Sequence, residues 1–248
     1  MVSRVHSDSD VPILDVADVV ELEQMIARMG TDLSTLMDRA GKSVSDLVNE
    51  QFSSDSKILV FAGSGNNGGD GWVAALDLSR KGFEVCLITT KPAQSLKAEP
   101  ARTAALEVMN ALQNEPVKLH VSVLPELGEL KENLATVDCV IDALLGTGFE
   151  GQSLRAPLDE WISLINERPS GYCVVAVDVP SGLSAQSGIA ASPSVEADET
   201  VTMLAMKPGL LGERVRRYVG DLYYADLGCS SLITELLDEE SKSNEEVP

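Results

Sequence analysis

Three short segments of the chain set acids among glycines, amides and hydroxyls, the side-chain types that bind phosphates, hold hard cations and move protons. The first, residues 63–71, reads GSGNNGGDG. The second runs from Asp142 through Gly146-Thr-Gly148 to Gly151, and the third is Asp178-Val-Pro-Ser-Gly182. Five glycines in the nine residues of the first segment exceed what a turn requires and let backbone amides approach an anion. Asn66, Asn67 and Asp70 add oxygen ligands and hydrogen bonds that a simple phosphate loop does not need. Each acid also has an ordinary use after a strand, as a helix cap or turn residue.

The elements around these segments must bring them together. Lys57-Ile-Leu-Val-Phe-Ala62 is apolar and rich in β-formers, so it reads as a buried strand. Trp72 to Leu78 reads as a helix ending near Gly82, with GSGNNGGDG as the loop between. Further strands are expected at 84–89, 117–121, 137–145, 172–177, 200–204 and 221–225. Helices are expected at 16–29, 33–52, about 98–112, 127–134 and 155–166. Alternating elements with uninterrupted apolar strands imply an α/β fold, a Rossmann-like doubly wound αβα sandwich with a mostly parallel sheet. Ligands in such sheets sit beyond the carboxyl ends of the strands, so the three segments should share one crevice. No internal repeat or linker divides the chain. A single domain is expected over 1–230, with two N-terminal helices at 16–52, a core at 57–227 and a disordered acidic tail at 238–248. Small residues Ala40 and Gly41 in the second helix suggest close packing against another helix or a neighbouring subunit.

Composition narrows the function classes. The 248 residues carry 19 Lys and Arg against 39 Asp and Glu, a net charge of −20, which argues against nucleic acid or an anionic membrane surface as partner. No apolar run is long enough to span a bilayer, and the N-terminus shows neither a signal nor a transit pattern. The four widely spaced cysteines, Cys86, Cys139, Cys173 and Cys229, read as reduced thiols of a cytoplasmic protein.

On Asn66-Asn-Gly-Gly-Asp-Gly71, Asp142 to Gly148 and Asp178-Val-Pro-Ser-Gly182, the sequence resembles the NAD(P)HX epimerases, the family of YjeF N-terminal domains. Leu36-Met-Asp-Arg-Ala-Gly41, Ala197-Asp-Glu-Thr-Val-Thr202 and Lys207-Pro-Gly209 also match the family pattern. The resemblance implies interconversion of the R and S hydrates of reduced nicotinamide dinucleotides (NADHX and NADPHX), a repair step that feeds a separate dehydratase. It implies that Asn66, Asn67, Gly68, Gly69 and Asp70 bind this substrate together with Gly146, Thr147, Gly148, Phe149, Glu150, Gly151 and Gln152. Asp178 would stand at the reactive ring as the catalytic group. Asn67, Asp142 and Ser181 fall at the family's potassium positions, one ion per subunit, and family members commonly form homodimers. Leu76, where many relatives carry arginine, and Ser184, in place of Asp or Asn, depart from the pattern.

The chemistry admits two routes, expulsion of hydroxide to a planar iminium or ring opening to an aldehyde. Two other classes fit part of the pattern: an NAD(P)-dependent oxidoreductase, and a non-catalytic nucleotide-binding or scaffold module of the same fold. The first expects GxGxxG and a ribose-binding acid about 20 residues on, which Asn66-Asn67-Gly68 matches poorly. The second would leave the intact polar segments without a use.

Overall fold

The computed structural model of the chain describes residues 2–6, 11–151 and 153–236. Among them one eight-stranded sheet is flanked by helices on both faces. The strands are β1 (Val2–Arg4), β2 (Lys57–Ala62), β3 (Glu84–Thr89), β4 (Leu119–Val123), β5 (Cys139–Ala143), β6 (Cys173–Val177), β7 (Glu199–Met203) and β8 (Asp221–Ala225). Their order across the sheet is β1-β8-β7-β6-β5-β2-β3-β4, parallel except for β1 against β8. The order reverses between β2 and β5, which places the topological switch point there.

Period-2 alternation divides the strand residues between two cores. Ile58, Val60 and Ala62 of β2 face a layer built by α1 (Val16–Arg28), α2 (Leu33–Gln51), α3 (Asn66–Arg80) and α4 (Ala101–Asn114). Leu59 and Phe61 face the opposite layer, built by α5 (Leu127–Leu134) and α6 (Leu158–Glu167), where Phe61 meets Trp161 with ring centroids 5.8 Å apart. Asp32 caps α2, its carboxylate accepting the Thr35 N–H at 2.7 Å.

The structure corrects the expected glycine loop. Helix α3 begins at Asn66, not Trp72, so the loop is only Gly63-Ser64-Gly65 and the remaining glycines lie inside the helix. Tertiary contact overrides their poor helix propensity. A Cβ on Gly68 would stand 2.1 Å from the Gly63 carbonyl oxygen, and one on Gly71 2.6 Å from the Ala143 Cβ. The glycines therefore lower the helix onto the ends of β2 and β5. Ala40 and Gly41 serve the same contact from the other side, since a Gly41 Cβ would meet Val73 at 2.5 Å. That close approach is within the chain.

Smaller differences have local causes. The strand expected at 137–145 ends at Ala143, where Gly63 N–H bonds the Ala143 carbonyl and Leu144 and Leu145 turn toward the site. The strand expected at 117–121 lies at Leu119–Val123, the helix expected at 155–166 at Leu158–Glu167, and that at 98–112 at Ala101–Asn114. Strand β1 and the short helix α7 (Arg216–Val219) carry too little periodicity to be read from sequence. Residues 230–236, beyond the last expected strand, are helical and bury Ile233. The expected acidic tail at 238–248 lies outside the described residues.

Candidate functional site

Where β2 and β5 part, their carboxyl ends open onto a cavity of about 600 Å³. Its floor and rim are Gly63 to Asn67, Asp70, Leu144 to Phe149 and Asp178, with Met203, Leu204 and Lys207 beyond. Helices α1 and α2 close one side through Val19, Val20, Glu23, Leu36 and Met37. The three polar segments thus meet at one crevice.

The deepest part is a web of buried oxygens. Asp142, at the end of β5, is fully buried. Its Oδ2 accepts the Ser181 N–H at 2.7 Å and its Oδ1 accepts the Ser181 hydroxyl at 2.6 Å. Leu144 N–H donates to Oδ1 at 3.2 Å. Burial pushes the carboxyl up to about 6, and these three hydrogen bonds from Ser181 and Leu144 act against that rise. Leu145 N–H donates to Ser181 Oγ at 2.9 Å, and Asn67 Nδ2 donates to the Leu145 carbonyl at 2.9 Å. The other half of that amide, Asn67 Oδ1, is buried with no hydrogen-bond partner among the described residues. Gly146 allows this packing, because a Cβ there would lie 2.9 Å from the Asn67 Cβ. A buried, unpartnered amide oxygen beside a buried carboxylate fits a hard cation. Among the described residues no three His, Cys, Asp or Glu side chains gather to hold a metal ion.

Above this web stands Asp178, the first residue after β6, in the left-handed region at φ +63°. A non-glycine residue there is uncommon, and strain of this kind is held at functional sites. Its Oδ1 accepts Lys207 Nζ at 2.5 Å, Met203 N–H at 3.2 Å and Thr202 Oγ1–H at 3.3 Å. Lys207 is 1% exposed and also donates to Thr202 Oγ1 at 3.1 Å and the Met203 carbonyl at 2.9 Å. A lysine this buried is held by its carboxylate.

Two further carboxyls face the same space. Burial pushes the Asp70 carboxyl well above its ordinary value, and the nearby charges of Asp178 and Glu23 add to the rise while Lys207 opposes it. Glu23, on α1, is raised to about 7 by burial first and then by Asp178, again against Lys207. Neither side chain makes a hydrogen bond or ion pair among the described residues.

Of the residues singled out in the sequence, Asn66, Asn67, Asp70, Gly146, Thr147, Gly148, Phe149 and Asp178 line the cavity. Asp142 and Ser181 lie beneath it. Gly68 and Gly69 are buried in the contacts of α3 and do not line it. Glu150 and Gly151 are exposed outside the lining, and Gln152 lies outside the described residues. Leu76 is 7% exposed and packs within the core. Lys207 and Glu23 were not among the site residues read from sequence. The lysine's signal was the Lys207-Pro-Gly209 match, and the glutamate's was an acid on the stripe formed by Val19, Leu22 and Ile26.

Comparison with known proteins agrees with this geometry. Residues 33–209 match the family model described as YjeF-related protein N-terminus. A "Bifunctional NAD(P)H-hydrate repair enzyme" of Leishmania braziliensis is 37% identical over 206 residues, covering 82% of this chain and 34% of that protein. The corresponding Escherichia coli protein, "Bifunctional NAD(P)H-hydrate repair enzyme Nnr", is 36% identical over 82% of this chain and 36% of its own length. An "NAD(P)H-hydrate epimerase" of Plasmodium knowlesi is 33% identical over 83% of this chain and 66% of its own. The chain thus spans about a third of the length of the bifunctional relatives. The crystal structure of the yeast protein ynu0 shares the fold with a TM-score of 0.67 at 24% identity, covering 80% of this chain and 83% of that one. With a family model matched over most of its length and the family's three polar segments meeting at one crevice, the chain belongs to the family of YjeF-related protein N-termini.

Proposed function

We propose that the chain epimerises hydrated NADH and NADPH, interconverting the R and S hydrates. The observation that carries this reading is the Asp178–Lys207 pair at the mouth of a polar cavity at the switch point, in a chain whose relatives are named for NAD(P)H-hydrate repair and epimerisation. The dinucleotide would lie across the crevice, with its phosphates near Gly63 to Asn67 and the start of α3, where helix amides point outward. Phe149 and the 146–148 backbone would enclose it.

The reacting carbon of the hydrate bears a hydroxyl and adjoins the ring nitrogen. Epimerisation by the iminium route breaks that C–O bond as the nitrogen lone pair forms the C=N bond, and water then returns from the other face. The departing oxygen needs a proton and the incoming water must lose one. All three hydrogen bonds to the Asp178 carboxylate land on Oδ1, which leaves Oδ2 for the substrate. The negative charge of Asp178, fixed by Lys207, would stabilise a cation formed beside it. Ring opening to the aldehyde makes similar proton demands, and Asp178 would serve it in the same position.

Asn67, Asp142 and Ser181 would hold a potassium ion, with the orphaned Asn67 Oδ1 as the donor that needs it. When bound, the ion supplies positive potential that offsets Asp70, Asp142 and the overall negative charge near the phosphates. A dehydratase would consume the S hydrate, in a cytoplasmic setting that suits four free thiols. The protein would act as a homodimer. In an assay on hydrated NADH with a stereospecific dehydratase supplied, wild type should drive complete loss of the R epimer and Asp178→Asn should not. An Asp178→Asn variant that works at the wild-type rate would remove Asp178 from the reaction.

A further inference from the structure

Epimerisation by the iminium route has a two-sided proton requirement. Oxygen leaves one face of the ring and returns to the other, so groups on different sides of the ring must give and take the protons. Asp178 follows β6 directly, and three hydrogen bonds fix its Oδ1. A carboxylate held in this way serves one face. A second group is therefore needed from another wall of the cavity.

Helix α1 forms such a wall. Val19, Val20, Glu23 and Gln24 line the cavity from one side of the helix, while Leu22 and Ile26 turn into the core. Position 23 falls four residues after Val19 and three before Ile26, within the stripe where an amphipathic helix carries apolar residues. An acid there is half-buried, faces the cavity, and makes no hydrogen bond or ion pair among the described residues. The other charged groups lining the cavity are Asp70 from α3, Asp178, Lys207 and Glu99, whereas α2 contributes apolar residues, among them Leu33, Leu36 and Met37.

Resting on the epimerase reading above, we infer that Glu23 is the second acid–base catalytic residue, serving the ring face that Asp178 does not reach. In one direction Glu23 gives its proton to the departing hydroxyl, which leaves as water while the ring nitrogen lone pair forms the C=N bond. Water then adds to the opposite face, a new C–O bond forms, and its proton passes to Asp178. Solvent exchange through the open cavity returns the proton to Glu23, and the reverse reaction exchanges the two roles. Burial and the Asp178 charge raise Glu23 to about 7, where an acid–base group works best at neutral pH.

The test is steady-state turnover of hydrated NADH by wild type, Glu23→Gln and Glu23→Asp from pH 5.5 to 9. Glu23→Gln should lose about 10²- to 10³-fold in kcat with KM little changed. The fall in wild-type activity through about pH 7 should be missing from its residual rate. Glu23→Asp should recover part of kcat. Turnover of Glu23→Gln within threefold of wild type, an unchanged alkaline limb, or a loss confined to KM would each overturn the assignment. Failure of wild type itself to interconvert the hydrates would instead defeat the epimerase reading.

Discussion

Lys207 Nζ lies 2.5 Å from Asp178 Oδ1, joining a lysine 1% exposed to a carboxylate 15% exposed. The ion pair ties the turn after β7 to the strained residue that follows β6, and with the Met203 N–H and Thr202 hydroxyl it places all three hydrogen bonds on Oδ1. Removing the cation leaves a largely buried carboxylate uncompensated, and breaking a buried pair costs about 3–5 kcal/mol. Lys207→Met should therefore destabilise the protein by about 3 kcal/mol in urea unfolding at pH 7.5, and Lys207→Arg by clearly less. Equal stability of wild type and Lys207→Met would show that the pair has no structural role.

A Cβ at position 68 has nowhere to go, because its nearest neighbour is the Gly63 carbonyl 2.1 Å away, which is backbone. Gly68→Ala should cost about 2 kcal/mol or more of stability, even though alanine is the better helix former. It should also weaken NADH binding by tilting α3 off the floor of the cavity. A neutral or stabilised Gly68→Ala in the same unfolding assay would contradict the packing role given to this glycine.

This glycine also shows where sequence reading stopped. The strand pattern was legible because β2, β5 and β6 are buried on both faces and read as continuous apolar runs. Asp142 and Asp178 were legible as acids at the ends of those runs. The start of α3 was not, since five glycines signal a loop locally and only the nearness of Gly63, Met37 and Ala143 explains why Gly68, Gly69 and Gly71 are helical. Lys207 and Glu23 were hidden for a related reason. Their meaning depends on facing Asp178 across 29 and 155 residues of sequence, and no local spacing encodes that.

The buried Asn67 Oδ1 leads to a test of the cation. Replacing potassium by tetramethylammonium at constant ionic strength should weaken NADH binding measured by calorimetry. Asp142→Ala should weaken it in both salts and abolish the difference. Equal affinity of wild type in the two salts would remove the ion from the site.

Glu23 gives a prediction for stability as well as rate. Its folded-state value, about 7, lies above the ordinary 4.5, so its contribution to stability is fully present below about pH 4.5 and is lost as pH rises through about 7. Glu23→Gln should therefore be more stable than wild type at pH 8, by about 1–2 kcal/mol once solvent screening in the open cavity is allowed for. At pH 4.5 the two should be nearly equal. The same difference at both pH values would show that the carboxyl is not raised.

The central claim is that this chain interconverts the two hydrates of a reduced nicotinamide dinucleotide. The most direct measurement follows a purified single epimer of hydrated NADH by NMR in the presence of the wild-type protein alone, with potassium and at pH 7. The account expects the resonances of the other epimer to grow in, well above the spontaneous rate, until an equilibrium mixture is reached, and Asp178→Asn to stay near the uncatalysed rate. A wild-type protein that binds the hydrate yet leaves its epimer ratio at the uncatalysed rate would contradict the account and leave a nucleotide-binding module in its place.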